Sequence, residues 1–292
     1  MTEPEEPRSE PTGGEEDQPS ALRTFLGLFL VPLLVVLACV AVFIGFGWIA
    51  YDRQSTSDYL NDLRSSWKPR RAQAAYELSK ILTADPDALD EEPGIRDEVR
   101  RLFAETDDEE MKRYLALVLG YTQDPEAVPL LIEALDDPSS ETRIYALWGL
   151  GKTSDPRAVP PLLASLADPD PGIRKTAAFG LGELGEPETI PGLAPLLDDA
   201  VADVRWNAAL ALANLGSDLG LPVLYRMLDR TLTSQIPDIT PSQAEEAMIS
   251  AVRALAILEV EDSRDLLERL SKDDPSLKVR QAAIEALRIL DS

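Results

Sequence analysis

The sequence predicts an all-α chain in which about six helix pairs stack into a solenoid behind a single transmembrane helix. Three observations predict it. From Gln123 onward the chain repeats itself at an interval of 31 residues. The second half of each copy places small and apolar residues at helical spacing, and one run of 28 residues near the N-terminus, Thr24 to Tyr51, carries no charge.

In chain order, residues 1–23 hold seven acids, two Arg and almost nothing to bury, which cannot offset the entropy of ordering them. They are read as a disordered acidic tail. At about 1.5 Å per residue the uncharged run over 24–51 reaches about 42 Å, more than the roughly 30 Å of a hydrocarbon core. Trp48 and Tyr51 suit the headgroup level at its end, and Pro32 falls near its start. A cleaved leader is the competing reading, but the leading region is acidic, the run is long and no A-x-A site follows. Cys39, inside the run, reads as a small apolar filler. Arg53, Arg64, Lys68, Arg70 and Arg71 on one side against Arg8 and Arg23 on the other place the repeats in the cytoplasm of a single-pass membrane protein. Residues 52–66 then form a juxtamembrane linker, and 67–292 the solenoid.

Within the repeats, QDPEAVPLLIEALDDP, SDPRAVPPLLASLADP and GEPETIPGLAPLLDDA superpose from Gln123, Ser154 and Gly185. A period of this length means stacked supersecondary units. Asp124 and Asp155 precede Pro125 and Pro156, the N-cap and first-turn pairing that opens a first helix. Pro129, Pro160, Pro191 and Pro222 share one register about a turn further on, where each is expected to bend that helix. Gly120, Gly151 and Gly182 share another register. In the second helix Ala146, Leu147 and Leu150, and their equivalents Ala177, Ala178, Leu181 and Ala208, Ala209, Leu212, fall three, four and seven places after an Arg and make one buried stripe.

This pattern resembles the HEAT-like repeat family, and in its 31-residue form the bacterial HEAT-like repeats named after phycobilisome lyases. The motif that carries the likeness is an Asp at the turn inside the repeat with an Arg six places later: Asp137 with Arg143, Asp168 with Arg174, Asp199 with Arg205, and Asp274 with Arg280. The resemblance implies that these charges run as a structural ladder joining successive turns. Lys112 takes the Arg position in an earlier copy, and Arg70 to Leu82 looks like a degenerate second helix. After Leu228 the turn is expanded by about twelve residues, and Met248 stands at the Arg position. This insertion, within 229–242, is expected to break the ladder.

The chemistry that the chain lacks bounds its function. With His 0 and Cys 1, no imidazole-based nucleophilic triad, His-ligated metal, disulfide or multi-Cys zinc site can form. Deoxyhypusine hydroxylase, a catalytic relative of the fold, requires His-Glu iron ligands that this chain cannot supply. Neither a Gly-rich phosphate loop nor an acid/base pair is recognisable, so no enzyme activity, catalytic residue, metal or cofactor is expected. The net charge of −24 argues against nucleic acid, whose affinity comes largely from Lys and Arg.

One face stands out. Positions two and five after the ladder residue point away from the buried stripe at about 100° per residue. They hold Tyr114 and Leu117, Tyr145 and Trp148, Thr176 and Phe179, and Asn207 and Leu210, with Lys175 and Trp206 at the margin. The resemblance implies that second helices line the concave face, which makes Tyr114, Tyr145, Trp148, Lys175, Phe179, Trp206 and Leu210 candidate protein-binding residues. Burial of the rings between neighbouring repeats is the competing explanation. The function expected is a membrane-anchored, non-enzymatic scaffold or assembly adaptor that holds a protein partner in this groove, with the lipid bilayer engaged through 24–51. A lyase-like or chaperone-like factor presenting a cofactor to a client protein is the alternative. From position 52 onward 26 Lys and Arg face 45 Asp and Glu, a net of −19, which suits a basic or membrane-embedded partner; a saline habitat would account for the same charge.

Overall fold

The computed structural model describes residues 30–50, 56–85, 87–88, 94–233, 235–237 and 239–291. The tail read over 1–23 lies outside them. The chain divides into two compact units, 1–54 and 55–292. The first contains helix α1, Val31–Ala50. Among the described residues no helix is long and apolar enough to cross a membrane. The expected transmembrane helix over 24–51, the single-pass membrane location, the cytoplasmic placement and the bilayer as partner are corrected on this finding.

The second unit is a stack of helix pairs. Helices α2 (Thr56–Leu63) and α3 (Lys68–Ala84) form the first pair, and α4 (Ile95–Glu105) and α5 (Glu109–Tyr121) the second. Short first helices α6 (Ala127–Glu133), α8 (Val159–Ser165), α10 (Ile190–Leu193) and α12 (Leu221–Met227) alternate with longer second helices α7 (Ser140–Lys152), α9 (Pro171–Leu184) and α11 (Ala202–Asn214). The insertion carries α13 (Arg230–Thr233) and leads into α14 (Pro241–Ile257); α15 (Arg264–Asp273) and α16 (Leu277–Leu290) close the array. Among the described residues there is no strand. Helix α2, in the span read as a linker, buries Leu60 and Leu63 against the array.

Side-chain caps start five of the second helices, while α3 and α11 begin without one. Asp108, Ser139, Asp170 and Ser276 accept a main-chain N–H at the starts of α5, α7, α9 and α16, and Thr240 with Gln243 forms a reciprocal capping box at α14. The first helices depart from expectation. The repeated prolines do not bend a continuous helix; they stand at the second or third position of α6, α8, α10 and α12, where the missing N–H costs little. A separate 3-10 turn such as Pro156–Ala158, held by the Asp155 carboxylate on the Arg157 N–H at 2.8 Å, precedes the α-helical part.

The predicted stripe is the core: its nine residues on α7, α9 and α11 are all at 0% exposure. Burying each Leu among them contributes roughly 1.5–3 kcal/mol. Neighbouring second helices approach closely because their contact line is glycine. A Cβ on Gly120 would stand 2.7 Å from the Gly149 backbone, one on Gly151 2.5 Å from Gly180, and one on Gly182 2.7 Å from Ala211. Second helices therefore pack on one another extensively, whereas first helices barely touch. The second helices are the more tightly packed layer, and this layer carries the face described next.

Candidate functional site

The ladder residues come first, because they fix the register of that face. Arg143, Arg174, Arg205 and Arg280 each donate Nη1 to the main-chain carbonyl of their own turn's Asp, at 2.8, 2.8, 2.7 and 2.5 Å from Asp137, Asp168, Asp199 and Asp274. The Asp carboxylates do something else. Each accepts the N–H two residues on, at 2.7–2.9 Å. Three of them also take a cation from an earlier helix: Lys112 bonds Asp137 at 2.6 Å, Arg174 bonds Asp199 at 2.9 and 3.0 Å, and Arg230 bonds Asp274 at 2.6 and 3.1 Å. The rungs thus join consecutive repeats. The bond from Arg174 holds the Asp199 carboxyl below the usual carboxylate range and raises the guanidinium. The insertion does not break the ladder, as was expected, because its own Arg230 supplies the missing cation.

The outward face is a grid. Two places after each ladder residue stand Tyr114, Tyr145, Thr176 and Asn207; five places after stand Leu117, Trp148, Phe179 and Leu210. Tyr114, Tyr145, Trp148, Phe179, Lys175 and Leu210 are half-buried, while Thr176 is buried with its hydroxyl on the Gly172 carbonyl at 2.8 Å. Trp206 is buried among Ala202, Val223 and Met227, so it belongs to the core and not to the groove.

The rings touch across repeats in two chains. Tyr76 meets Tyr114 edge-on with centroids 5.1 Å apart, and Tyr114 meets Tyr145 at 6.2 Å. Tyr121 meets Trp148 at 5.2 Å, and Trp148 stacks on Phe179 at 6.4 Å and 17°. Burial, then the neighbouring Tyr145 and Glu110, pushes the Tyr114 hydroxyl up. Lys152 lies 5.3 and 5.4 Å from the centroids of Trp148 and Phe179 and pairs with Glu183, and Lys175 pairs with Asp203 at 3.3 Å. Sequence reasoning missed Tyr76, Tyr121 and Lys152. Tyr121 and Lys152 stand nine places after their ladder residues, one turn beyond the positions considered and on the same face; Tyr76 sits in the degenerate first copy, which offers no register.

At the far end of the row an open cavity of about 440 Å³ lies between α9, α11 and α14, walled by Phe179, Leu210 and Ile257 with Asn207, Asn214 and Arg253. Among the described residues no cluster of His, Cys, Asp or Glu could hold a metal ion.

A family model of HEAT repeats matches residues 98–178 and, overlapping them, 159–236. No curated protein matches the sequence. Among solved structures, the complex of CpcE and CpcF of phycocyanin lyase from Nostoc sp. PCC7120 is similar, with a TM-score of 0.55 and 20% identity over 81% of this chain and 93% of that one. At that identity the likeness shows the fold alone. A designed armadillo repeat protein in complex with the peptide (KR)4 aligns at a TM-score of 0.44 and 20% identity, covering 81% of this chain and 99% of its own. Human deoxyhypusine hydroxylase aligns at 0.34 and 19%, covering 82% and 96%. Both are too distant in three dimensions to bear on function. The 31-residue period, the paired helices and the family match agree over residues 98–236, which are similar to HEAT repeats.

Proposed function

We propose that the chain is a non-enzymatic docking scaffold that holds a protein partner against the outward face of its second helices. The observation that carries this reading is the row of half-buried rings, Tyr121, Trp148 and Phe179, fixed by contact with one another and opening onto the cavity beside Leu210. Rigid aromatics give contact area at low entropic cost, and contiguous apolar surface of this kind marks interaction sites. Fold stability does not call for rings on the side of the helix away from the core. The net charge of −24 steers a basic partner towards the surface. The solved neighbour is itself a complex of two chains, which accords with a role in assembly.

Photo-crosslinkers placed one at a time at positions 148, 179 and 210 of the full-length chain, in the native cell, test it. The same adduct from all three, with none from the exposed first-helix positions 133 and 188, is the expected result. Adducts confined to 133 and 188 would move the docking site to the other layer. The cofactor-presenting alternative has its own measurement: an absorbance band from added bilin or haem that is lost in Phe179→Ser would favour it.

A further inference from the structure

The grid of the outward face changes character where the array passes the insertion. Five places after the ladder position it reads Leu117, Trp148, Phe179, Leu210 and then Arg253, and the next copy holds Glu285. An apolar row therefore ends on a cation. The cavity of about 440 Å³ sits at that end, with Phe179, Leu210 and Ile257 as its apolar wall. Ile257 is 57% exposed, so the wall is uncovered on one side.

The cavity is lined by one anion, Glu183, and one cation, Arg253, and they are not paired with each other. Glu183 is already held by Lys152. Elsewhere on the second helices Arg113 pairs with Glu141, Lys175 with Asp203, and Lys278 with Glu245 and Glu246. Arg253 is exposed and has no ion-pair partner among the described residues, so its guanidinium faces the cavity without an anion of its own. Asn207, Asn214 and Ser250 line the same space and can add N–H and O–H donors.

We propose that this cavity binds the free C-terminus of a protein partner whose last residue is apolar. The inference rests on the groove reading above and says which part of the partner lies there. The terminal side chain packs on Phe179, Leu210 and Ile257, and the terminal carboxylate meets Arg253, whose planar fork suits two carboxylate oxygens. A segment that ran on would pass from Arg253 to Glu285, where the row turns anionic. A chain that stops at Arg253 uses the whole apolar row and supplies the anion that Arg253 lacks. Capture of a chain terminus by preplaced donors is a recurrent mode of recognition.

The test uses the full-length chain and fluorescein-labelled octapeptide pools that end in Leu, Ile or Phe, each as free acid and as C-terminal amide, read by anisotropy. The free acids should bind at least tenfold more tightly than the amides. Arg253→Gln should remove that difference, while Arg253→Lys keeps part of it; Arg253 is exposed, so melting curves should be unchanged. Equal binding of acid and amide, or binding of neither, overturns the proposal. An amidated pool with an internal Asp that binds as well as the free acids also overturns it, in favour of an acidic side chain. The two levels separate cleanly: equal binding that is still lost in Phe179→Ser spares the groove reading, and binding that survives Phe179→Ser sinks both.

Discussion

Arg230 reaches across the insertion to Asp274, 44 positions further on, and grips both carboxylate oxygens at 2.6 and 3.1 Å. In the regular repeats the corresponding grip, Arg174 on Asp199, spans 25 positions. The Asp274 side chain is 3% exposed, so a carboxylate left there without its cation is poorly hydrated. Arg230→Ala is therefore expected to cost roughly 1–3 kcal/mol, discounted towards the lower end because the Arg230 side chain is 37% exposed. Hydrogen exchange should show the loss in α14 to α16 and leave α5 to α9 protected, since repeats sense mainly their neighbours. Uniform loosening would show that the bond does not act locally.

Regular rungs differ among themselves, and the difference is measurable. Arg174 bonds the carbonyls of its own turn and the carboxylate of the next, whereas Arg143 is seen on the carbonyls of Asp137 and Pro138. Arg174→Ala should destabilise more than Arg143→Ala, by about 1 kcal/mol or more. The rung is also acid-sensitive. The Asp199 carboxyl is depressed when folded, so its contribution is fully present above the unfolded carboxylate value of about 3.9 and is lost as pH falls through the folded one. Acid titration of Arg174→Ala should lack that part of the stability change. Identical profiles for mutant and parent would remove Asp199 from the account.

Much of this was legible in the sequence, because a strict period lets one copy be checked against the next. The buried stripe on α7, α9 and α11 followed from helical spacing alone. Three expectations about the repeats fail for physical reasons. The expected bend inside a helix is absent because a 3-10 turn before Pro160, Pro191 and Pro222 makes each of these three open a new helix. The insertion was read as a gap in the ladder because Arg230 lies outside the register, where spacing is silent about what a loop can reach. Trp206 was assigned to the groove by angle, yet a large side chain one place after Arg205 can lean into the core between repeats. Arg253, five places after Met248, interrupts the apolar run of its column, so a pattern built on rings and leucines does not single it out.

The glycine contact line gives a prediction about spacing. Gly151→Ala would set a methyl 2.5 Å from the Gly180 Cα, a backbone atom that cannot swing aside. Either the two helices separate or the strain stays, and overpacking of this kind typically costs about 1–3 kcal/mol. Gly172→Ala serves as control, since its Cβ would meet the side chains of Ile144 and Asp170 at 3.1 Å. A chemical denaturation midpoint lowered only for Gly151→Ala is expected. Equal midpoints would mean that the second helices can part at no cost.

Turns between repeats share one backbone requirement. Gln123, Ser154 and Glu259 have φ of 47°, 51° and 51°, and Gly185 and Gly216 stand in the same left-handed region at 75°. For a non-glycine residue that conformation costs roughly 1–2 kcal/mol, part of which glycine returns through its freer unfolded state. Ser154→Gly should thus raise stability by up to about 1 kcal/mol. Gly185→Ala, which meets nothing within 4 Å, should lower it by about 1 kcal/mol through backbone strain alone. Thermal melts of the two mutants moving in opposite directions would bear this out; a loss in Ser154→Gly would show that its side chain contributes a contact outweighing the strain.

Whether the rings belong to the fold or to the partner can be decided by coupling. Trp148 and Phe179 stack with centroids 6.4 Å apart, both half-buried and both near the Lys152 ammonium. Each ring also keeps open surface, so truncation removes packing on one side and a binding surface on the other. A double-mutant cycle with Trp148→Ala and Phe179→Ala should return a stability coupling of about 0.5–1.5 kcal/mol, the range for aromatic pairs. Each single mutant should stay folded, because the Leu147, Leu150 and Leu181 core beneath remains. Partner binding should fall further than stability does, by about 2 kcal/mol or more for Trp148→Ala if that ring is a central anchor. A stability loss that unfolds either single mutant would assign the rings to the core between repeats. A folded double mutant with unimpaired partner binding would leave the ring row without a role in docking.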